Sequence, residues 1–159
     1  MMVELLTFGD ELCRGEIVDT NSAWLAEKLA DRGLEVNWIT SCRDHPEDMA
    51  SALTTAASRA QLVLCSGGLG PTVDDLTVDV VAELLGCEVI TDPASLRRLE
   101  TVFPGRAATP TRVRQLRVPT KARVLGNPTG LAPAFRFEFQ NTTFVCMPGV
   151  PRELKSIYN

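Results

Sequence analysis

The chain has 159 residues, 20 acidic against 16 basic side chains, one His and a net charge of −4. That length suits a single domain with a core of its own, and 45% apolar with 23% charged residues excludes a disordered chain. The acidic balance offers no basic field to a nucleic-acid backbone, and no apolar run reaches the roughly 18 residues of a membrane span.

The first half alternates strand and helix. Val3–Phe8 is a short apolar run ended by Gly9, hence a strand. A helix over 21–32 follows, with Leu25, Leu29, Ala26 and Ala30 at helical spacing, Asp19, Thr20 or Asn21 as its cap, and Gly33 as its stop. Residues 35–40 set Val36, Trp38 and Thr40 on alternate positions, as a strand does. Pro46–Arg59 places Met49, Leu53, Ala56 and Ala57 on one helical face, with Pro46 at the start, where its missing N–H costs nothing. Leu62–Ser66 is apolar nearly throughout, as a buried parallel strand should be. A Gly-rich turn leads to a helix marked by Leu76, Val80, Val81, Leu84 and Leu85 and stopped by Gly86, then to a fourth strand over 87–91. This order predicts a mostly parallel sheet with helices on both faces.

The second half reads differently. A helix over 92–103 starts at Asp92, residues 104–110 form a Pro/Gly-rich loop, and a short helix is expected around 112–116. After 123–125 and the turn-rich 127–133, an arm over 134–140 puts Phe135, Phe137 and Phe139 on one face, the signature of a half-buried strand. Asn141 then bends the chain into a second arm, Thr142–Met147, which adds an antiparallel hairpin to the sheet. Residues 151–159 read as the opening turns of a helix, so one domain over 1–159 is expected, cut short at its carboxyl end.

Five scattered cysteines (Cys13, Cys42, Cys65, Cys87, Cys146), with no C-x-x-C pair, fit a reducing cytoplasm and no disulfide frame. The amino terminus lacks the basic start of a secretion signal. A lone His45 and the absence of G-x-S-x-G leave little room for a His-rich metal site or a serine triad.

The strongest site signal is Ser66-Gly67-Gly68-Leu69-Gly70-Pro71-Thr72-Val73-Asp74-Asp75. Glycines between a strand and a helix let backbone N–H groups approach an anion, and ligands of open α/β sheets sit at the carboxyl ends of strands. Ser66 and Thr72 add hydroxyls for phosphate oxygens. Asp74 and Asp75 would repel a bare phosphate, so the pair points to a divalent cation bridging carboxylates and a phosphate or pyrophosphate. The bland alternative is that the two acids cap the following helix.

Three further segments carry candidates. Gly9-Asp10-Glu11-Leu12, with Asp19-Thr20-Asn21, reaches the same sheet edge if the first and third strands are neighbours. Asp44 follows the second strand and is a further candidate for metal or base, with helix capping as the simpler role for it and His45. On residue types alone, Asn127-Pro128-Thr129-Gly130 reads as a turn, and Pro148-Gly149-Val150-Pro151-Arg152-Glu153 as a turn followed by a helix start. Arg97, Arg98, Arg112, Arg114 and Arg117 read as a solvated face.

Taken in order, these segments resemble the amino-terminal domain of the competence/damage-inducible protein A (CinA) family, within the molybdopterin-binding superfamily of MoaB and MogA. The run Gly-Gly-Leu-Gly-Pro-Thr-x-Asp-Asp-x-Thr, here 67–77, is its most specific part. The resemblance implies a three-layer α/β/α sandwich, metal-dependent hydrolysis of ADP-ribose to AMP and ribose 5-phosphate, and a homo-oligomer, with a dimer usual. It also implies a nicotinamide-nucleotide amidase domain past Asn159 in many relatives. Two positions depart from the family pattern: Cys42-Arg43-Asp44 stands where relatives often have Val-Gly-Asp, and Ala134 replaces the Gly that closes the Asn-Pro-x-Gly-x-Ala-Pro-Gly run.

The expected site therefore has Ser66, Gly67, Gly68, Leu69, Gly70, Thr72, Asn127 and Gly130 on the phosphates. Asp10, Asp44, Asp74 and Asp75 hold Mg²⁺, Mn²⁺ or Co²⁺, and Asp10, Asp74 and Asp75 take part in the chemistry. The alternatives are a non-catalytic module for a nucleotide or molybdopterin-like ligand, and a regulatory half of a larger amidase protein.

Overall fold

The computed structural model describes residues 1–106 and 108–159. Along the chain run β1 (Val3–Phe8), α1 (Asp10–Cys13), α2 (Thr20–Ala30), β2 (Val36–Cys42), α3 (Pro46–Arg59), β3 (Leu62–Ser66), α4 (Thr77–Leu85) and β4 (Val89–Thr91). They are followed by α5 (Pro93–Val102), α6 (Pro110–Arg114), β5 (Arg117–Pro119), β6 (Arg123–Gly126), β7 (Ala134–Phe139), β8 (Thr142–Met147) and α7 (Pro151–Tyr158). Ala107, inside the loop expected over 104–110, lies outside the described residues. Among the described residues no helix is long and apolar enough to cross a membrane.

Six strands form the main sheet in the order β2-β1-β3-β8-β7-β6. The four strands β2, β1, β3 and β8 run parallel, and β7 and β6 run antiparallel to their neighbours. The sheet is thus mostly parallel with an antiparallel hairpin, as expected. Its two faces are read directly from strand alternation. Val3, Leu5, Leu64 and Met147 pack against Leu25 and Leu29 of α2 and Leu154 of α7. Leu6, Val63, Cys65, Phe135 and Phe144 pack against Met49, Leu53 and Ala56 of α3 and Val80 and Val81 of α4. The result is a helix layer on each side of the sheet.

One expectation about the sheet is corrected. The strand over 87–91 does not join the parallel sheet; its ordered core, β4, pairs antiparallel with β5 in a separate two-stranded ribbon. The place beside β3 is taken by β8, from the far end of the chain. The physical reason lies in β8. Its Phe144 and Cys146 are completely buried and complete the α3/α4 face, whereas β4 is three residues long and its Ile90 is 46% exposed. The short helix also shifts, from the expected 112–116 to Pro110–Arg114, because Thr109 caps it by accepting from Arg112 N.

Local chemistry explains the other boundaries. Asp19 caps α2 by accepting from Ser22 N at 2.9 Å, and Asp92 caps α5 by accepting from Ser95 N at 2.8 Å. Gln140 and Asn141 both adopt left-handed backbone (φ 50° and 65°), which turns β7 into β8 in two residues. Across that hairpin Phe137 and Phe144 face each other with ring centroids 4.9 Å apart. Glu4, 1% exposed, is the charged exception inside β1. Its carboxylate accepts from Arg59 at 2.8 and 2.6 Å and from Thr40 Oγ1 at 2.7 Å, which satisfies a charge that could not otherwise stay buried.

Candidate functional site

Because β1 lies between β2 and β3, the chain leaves β1 toward one side of the sheet and later returns to the other. That is the switch point at which open α/β sheets bind ligands. A cleft of about 390 Å³ opens there, at the carboxyl ends of β1, β3 and β8. Its wall includes the turn from Gly67 to Thr72, together with Pro148 and Gly149.

The Gly-rich turn is held by specific bonds. Gly67 N donates to Met147 O at 3.0 Å, and the buried Thr77 hydroxyl donates to Gly67 O at 3.0 Å. Gly67 (φ 101°) and Gly68 (φ 69°) are successive left-handed residues, a conformation that glycine adopts freely. A side chain on Gly67 would strike Phe8 O, and one on Gly68 would strike Thr77 Oγ1. Leu69 is 4% exposed and belongs to the α3/α4 core, so its side chain anchors the turn. Among the described residues the N–H groups of Gly68, Leu69 and Gly70 donate to no protein acceptor. These three amides are the part of the turn free to meet an anion.

Five carboxylates share this cleft: Glu11, Asp44, Asp74, Asp75 and Glu153. Asp75 does not cap α4. Its Oδ2 accepts from Thr72 N at 2.9 Å and Thr72 Oγ1 at 2.7 Å, so the Thr72 hydroxyl is engaged within the loop. The cap position of α4 is Leu76, which makes no side-chain bond. Asp74 is exposed on the cleft rim and makes no hydrogen bond among the described residues.

Asp10 and Asp44 clasp each other. Asp10 Oδ1 accepts from Asp44 N at 3.0 Å and Asp44 Oδ2 accepts from Asp10 N at 3.2 Å. This clasp ties the end of β1 to the end of β2. Asp44 lines the cleft, while Asp10 faces outward with Arg14, Arg43 and His45. Burial pushes the Asp44 carboxyl above its ordinary range; the Asp10 N–H opposes this, and the negative charges of Asp10, Glu11 and Asp75 add to it. Among the described residues no three Asp, Glu, His or Cys side chains converge as a metal cage.

Asn127 and Gly130 stand behind Glu153 and do not line the cleft. Asn127 is buried and fully engaged: Nδ2 donates to Ala132 O at 2.9 Å and Glu153 Oε2 at 2.6 Å, and Oδ1 accepts from Thr129 N at 3.2 Å and Gly130 N at 2.8 Å. Any Cβ on Gly130 would collide with the Glu153 carboxylate. The pair therefore positions Glu153, a cleft residue absent from the expected site. Its signal was its place in the first turn of a helix after Pro-Gly-Val-Pro. Ser66 points away from this cleft, into a neighbouring cavity.

The arginines act from outside. Arg114 Nε donates to Thr72 O at 2.8 Å and its Nη2 to Asp75 O at 3.2 Å, bracing the outer limb of the Gly-rich loop. Arg117 grips Asp79 of α4 with two bonds of 2.9 Å. Arg98 donates to Pro128 O at 2.6 Å, so the segment outside the main sheet supports both the Gly-rich loop and the loop of Asn127.

The family model described as "Probable molybdopterin binding domain" matches residues 4–159. A CinA-like protein of Anaeromyxobacter sp. (strain Fw109-5) is 44% identical over 157 residues, covering 98% of this chain and 38% of the relative. The crystal structure of the protein CinA, of unknown function, from Thermoplasma acidophilum superposes with a TM-score of 0.89 at 30% identity, covering 98% of this chain and 92% of that one. The chain is a CinA-like member of the molybdopterin-binding domain family. The molybdopterin biosynthesis enzyme MoaB of Thermus thermophilus shares its fold, with a TM-score of 0.65 at 23% identity and coverage of 98% and 86%. The chain spans about two fifths of the length of the curated CinA-like relatives it matches. A molybdopterin-binding domain points to a small-molecule ligand.

Proposed function

We propose that this CinA-like domain is a metal-dependent pyrophosphatase acting on ADP-ribose or a related nucleotide-sugar diphosphate. The observation that carries the reading is one cleft holding both free backbone amides, at Gly68 to Gly70, and five carboxylates. Amides recruit an anion and carboxylates repel it, so the two fit one ligand only with a cation between them. The cleft-facing donors are carboxylate oxygens, which suits a hard divalent ion held by one or two carboxylates, phosphate oxygens and water. Asp44 and Asp74 are the residues to hold such an ion, which supplies charge neutralisation and a more acidic bound water.

The chain's own residues have distinct tasks in this reading. The amides of Gly68, Leu69 and Gly70 bind the phosphate oxygens. Asp75 and Arg114 keep the loop in shape, and Asp10 fixes Asp44. Water attacks one phosphorus, the P–O–P bridge breaks, and the leaving phosphate keeps the bridging oxygen, giving AMP and ribose 5-phosphate.

A second reading is favoured by the lack, among the described residues, of three converged metal ligands. It is a module that holds a nucleotide or molybdopterin-like ligand without turnover, or a regulatory half of a longer amidase protein. The deciding experiment incubates the chain with ADP-ribose, with and without Mg²⁺, Mn²⁺ or Co²⁺, and assays AMP by chromatography. Metal-dependent AMP that is lost in Asp74→Ala supports the hydrolase. Turnover and metal dependence intact in Asp74→Ala defeat the residue assignment, and binding without AMP supports the module.

A further inference from the structure

Beside the phosphate cleft, and sharing Phe8, Glu11, Gly67 and Gly149 with it, lies a second cavity of about 140 Å³. The close approach of two turns separates them: a Cβ on Gly149 would lie 3.3 Å from Gly67 Cα. Its lining joins the apolar Ile17 and Val18 to the polar Asp19, Asn21 and Ser66.

Several polar atoms of this niche lack partners. Ser66 is 4% exposed, and its hydroxyl makes no hydrogen bond among the described residues. Asp19 Oδ1 is engaged by Ser22 N, and Asn21 Nδ2 donates to Gly149 O at 2.8 Å. That leaves Asp19 Oδ2, Asn21 Oδ1 and Ser22 Oγ buried and unpaired, three of the four such side-chain atoms among the described residues. A buried polar atom left unpaired costs about 1–3 kcal/mol. Of these residues Asp19 and Asn21 line the cavity with Ser66, and unpaired groups gathered beside it point to a missing partner there.

Size and chemistry narrow the partner. A cavity of about 150 Å³ holds a single benzene ring, so this niche has the size of one ring. Its unpaired atoms are chiefly acceptors, so the ring must carry donors. Its apolar lining suits the C–H face of that ring.

We propose that the niche is a pentose subsite, in which the vicinal hydroxyls of a ribose joined to a cleft-bound phosphate donate to Asp19 and Asn21 and meet Ser66. This rests on the nucleotide reading of the cleft and extends it to the sugar.

The test is calorimetric titration of the wild-type chain, in Mg²⁺ buffer, with AMP, 2′,3′-dideoxy-AMP and inorganic pyrophosphate. The expected result is AMP binding about tenfold or more tighter than its dideoxy counterpart. Ser66→Ala and Asp19→Asn should bring the two affinities together. Ser66→Ala removes no protein hydrogen bond, and Asn replaces Asp as a helix cap with little loss, so unchanged melting curves show that both variants fold. Equal affinity for the two nucleotides, with pyrophosphate still bound, overturns the niche and leaves the pyrophosphate reading standing. A wild-type preference that survives in both variants also overturns the niche. Failure to bind either AMP or pyrophosphate overturns both readings.

Discussion

At the scale of single residues, the cleft is shaped by side chains that never touch a ligand. Thr77 is completely buried and pins Gly67 O. Thr77→Val keeps the volume and leaves that carbonyl unpaired, so a loss of about 1–2 kcal/mol in urea unfolding is expected. Gly130→Ala drives a methyl into Glu153 without any backbone strain, and overpacking of this kind costs about 1–3 kcal/mol; a lowered Tm checks it. Thiol labelling tests the burial pattern. Cys13 should react with a disulfide reagent in the native state, while the buried Cys42, Cys65 and Cys146 should wait for unfolding. Residue types made the Gly-rich turn legible in advance. They did not reveal that Thr72 and Asn127 face inward to the loops, because an engaged and a free hydroxyl or amide look alike in a sequence.

At the scale of elements, the seam between β1, β2 and α3 rests on Glu4 and Arg59. Removing one partner of a buried pair strands the other charge, so Arg59→Ala should cost about 3 kcal/mol by denaturant unfolding. The pair Arg136–Glu138, with both side chains about half exposed, should contribute less than about 1 kcal/mol. Comparing the two alanine variants in one experiment separates burial from charge. Periodicity carried the first three strands and their helices well. Val3–Phe8, Pro46–Arg59, Leu62–Ser66 and Thr142–Met147 have the expected bounds because each is apolar on the faces it buries. It failed at β4, since Val89, Ile90 and Thr91 look like any strand and nothing local tells which partner they choose.

At the scale of the molecule, the ribbon β4–β5 with α5 and α6 is a separate unit leaning on α4, the Gly-rich loop and the loop of Asn127. Two-stranded ribbons are marginal alone. Amide exchange should therefore be faster in β4 and β5 than in β1, β3 and β8, and mass spectrometry of peptides resolves the two groups.

The seat of β8 beside β3 has a consequence for the order of events at the ribosome. The Thr142 hydroxyl reaches Ala60 O, 82 residues back, at 2.6 Å. Until β8 emerges, the flank of Leu62, Val63, Leu64 and Cys65 is an open edge with no strand to cover it. The nascent chain thus carries this apolar edge uncovered while the elements from α4 to β7 are made, and long-range pairing of this kind is slow. β8 then covers that edge and joins the α3/α4 face of the core through Phe144 and Cys146.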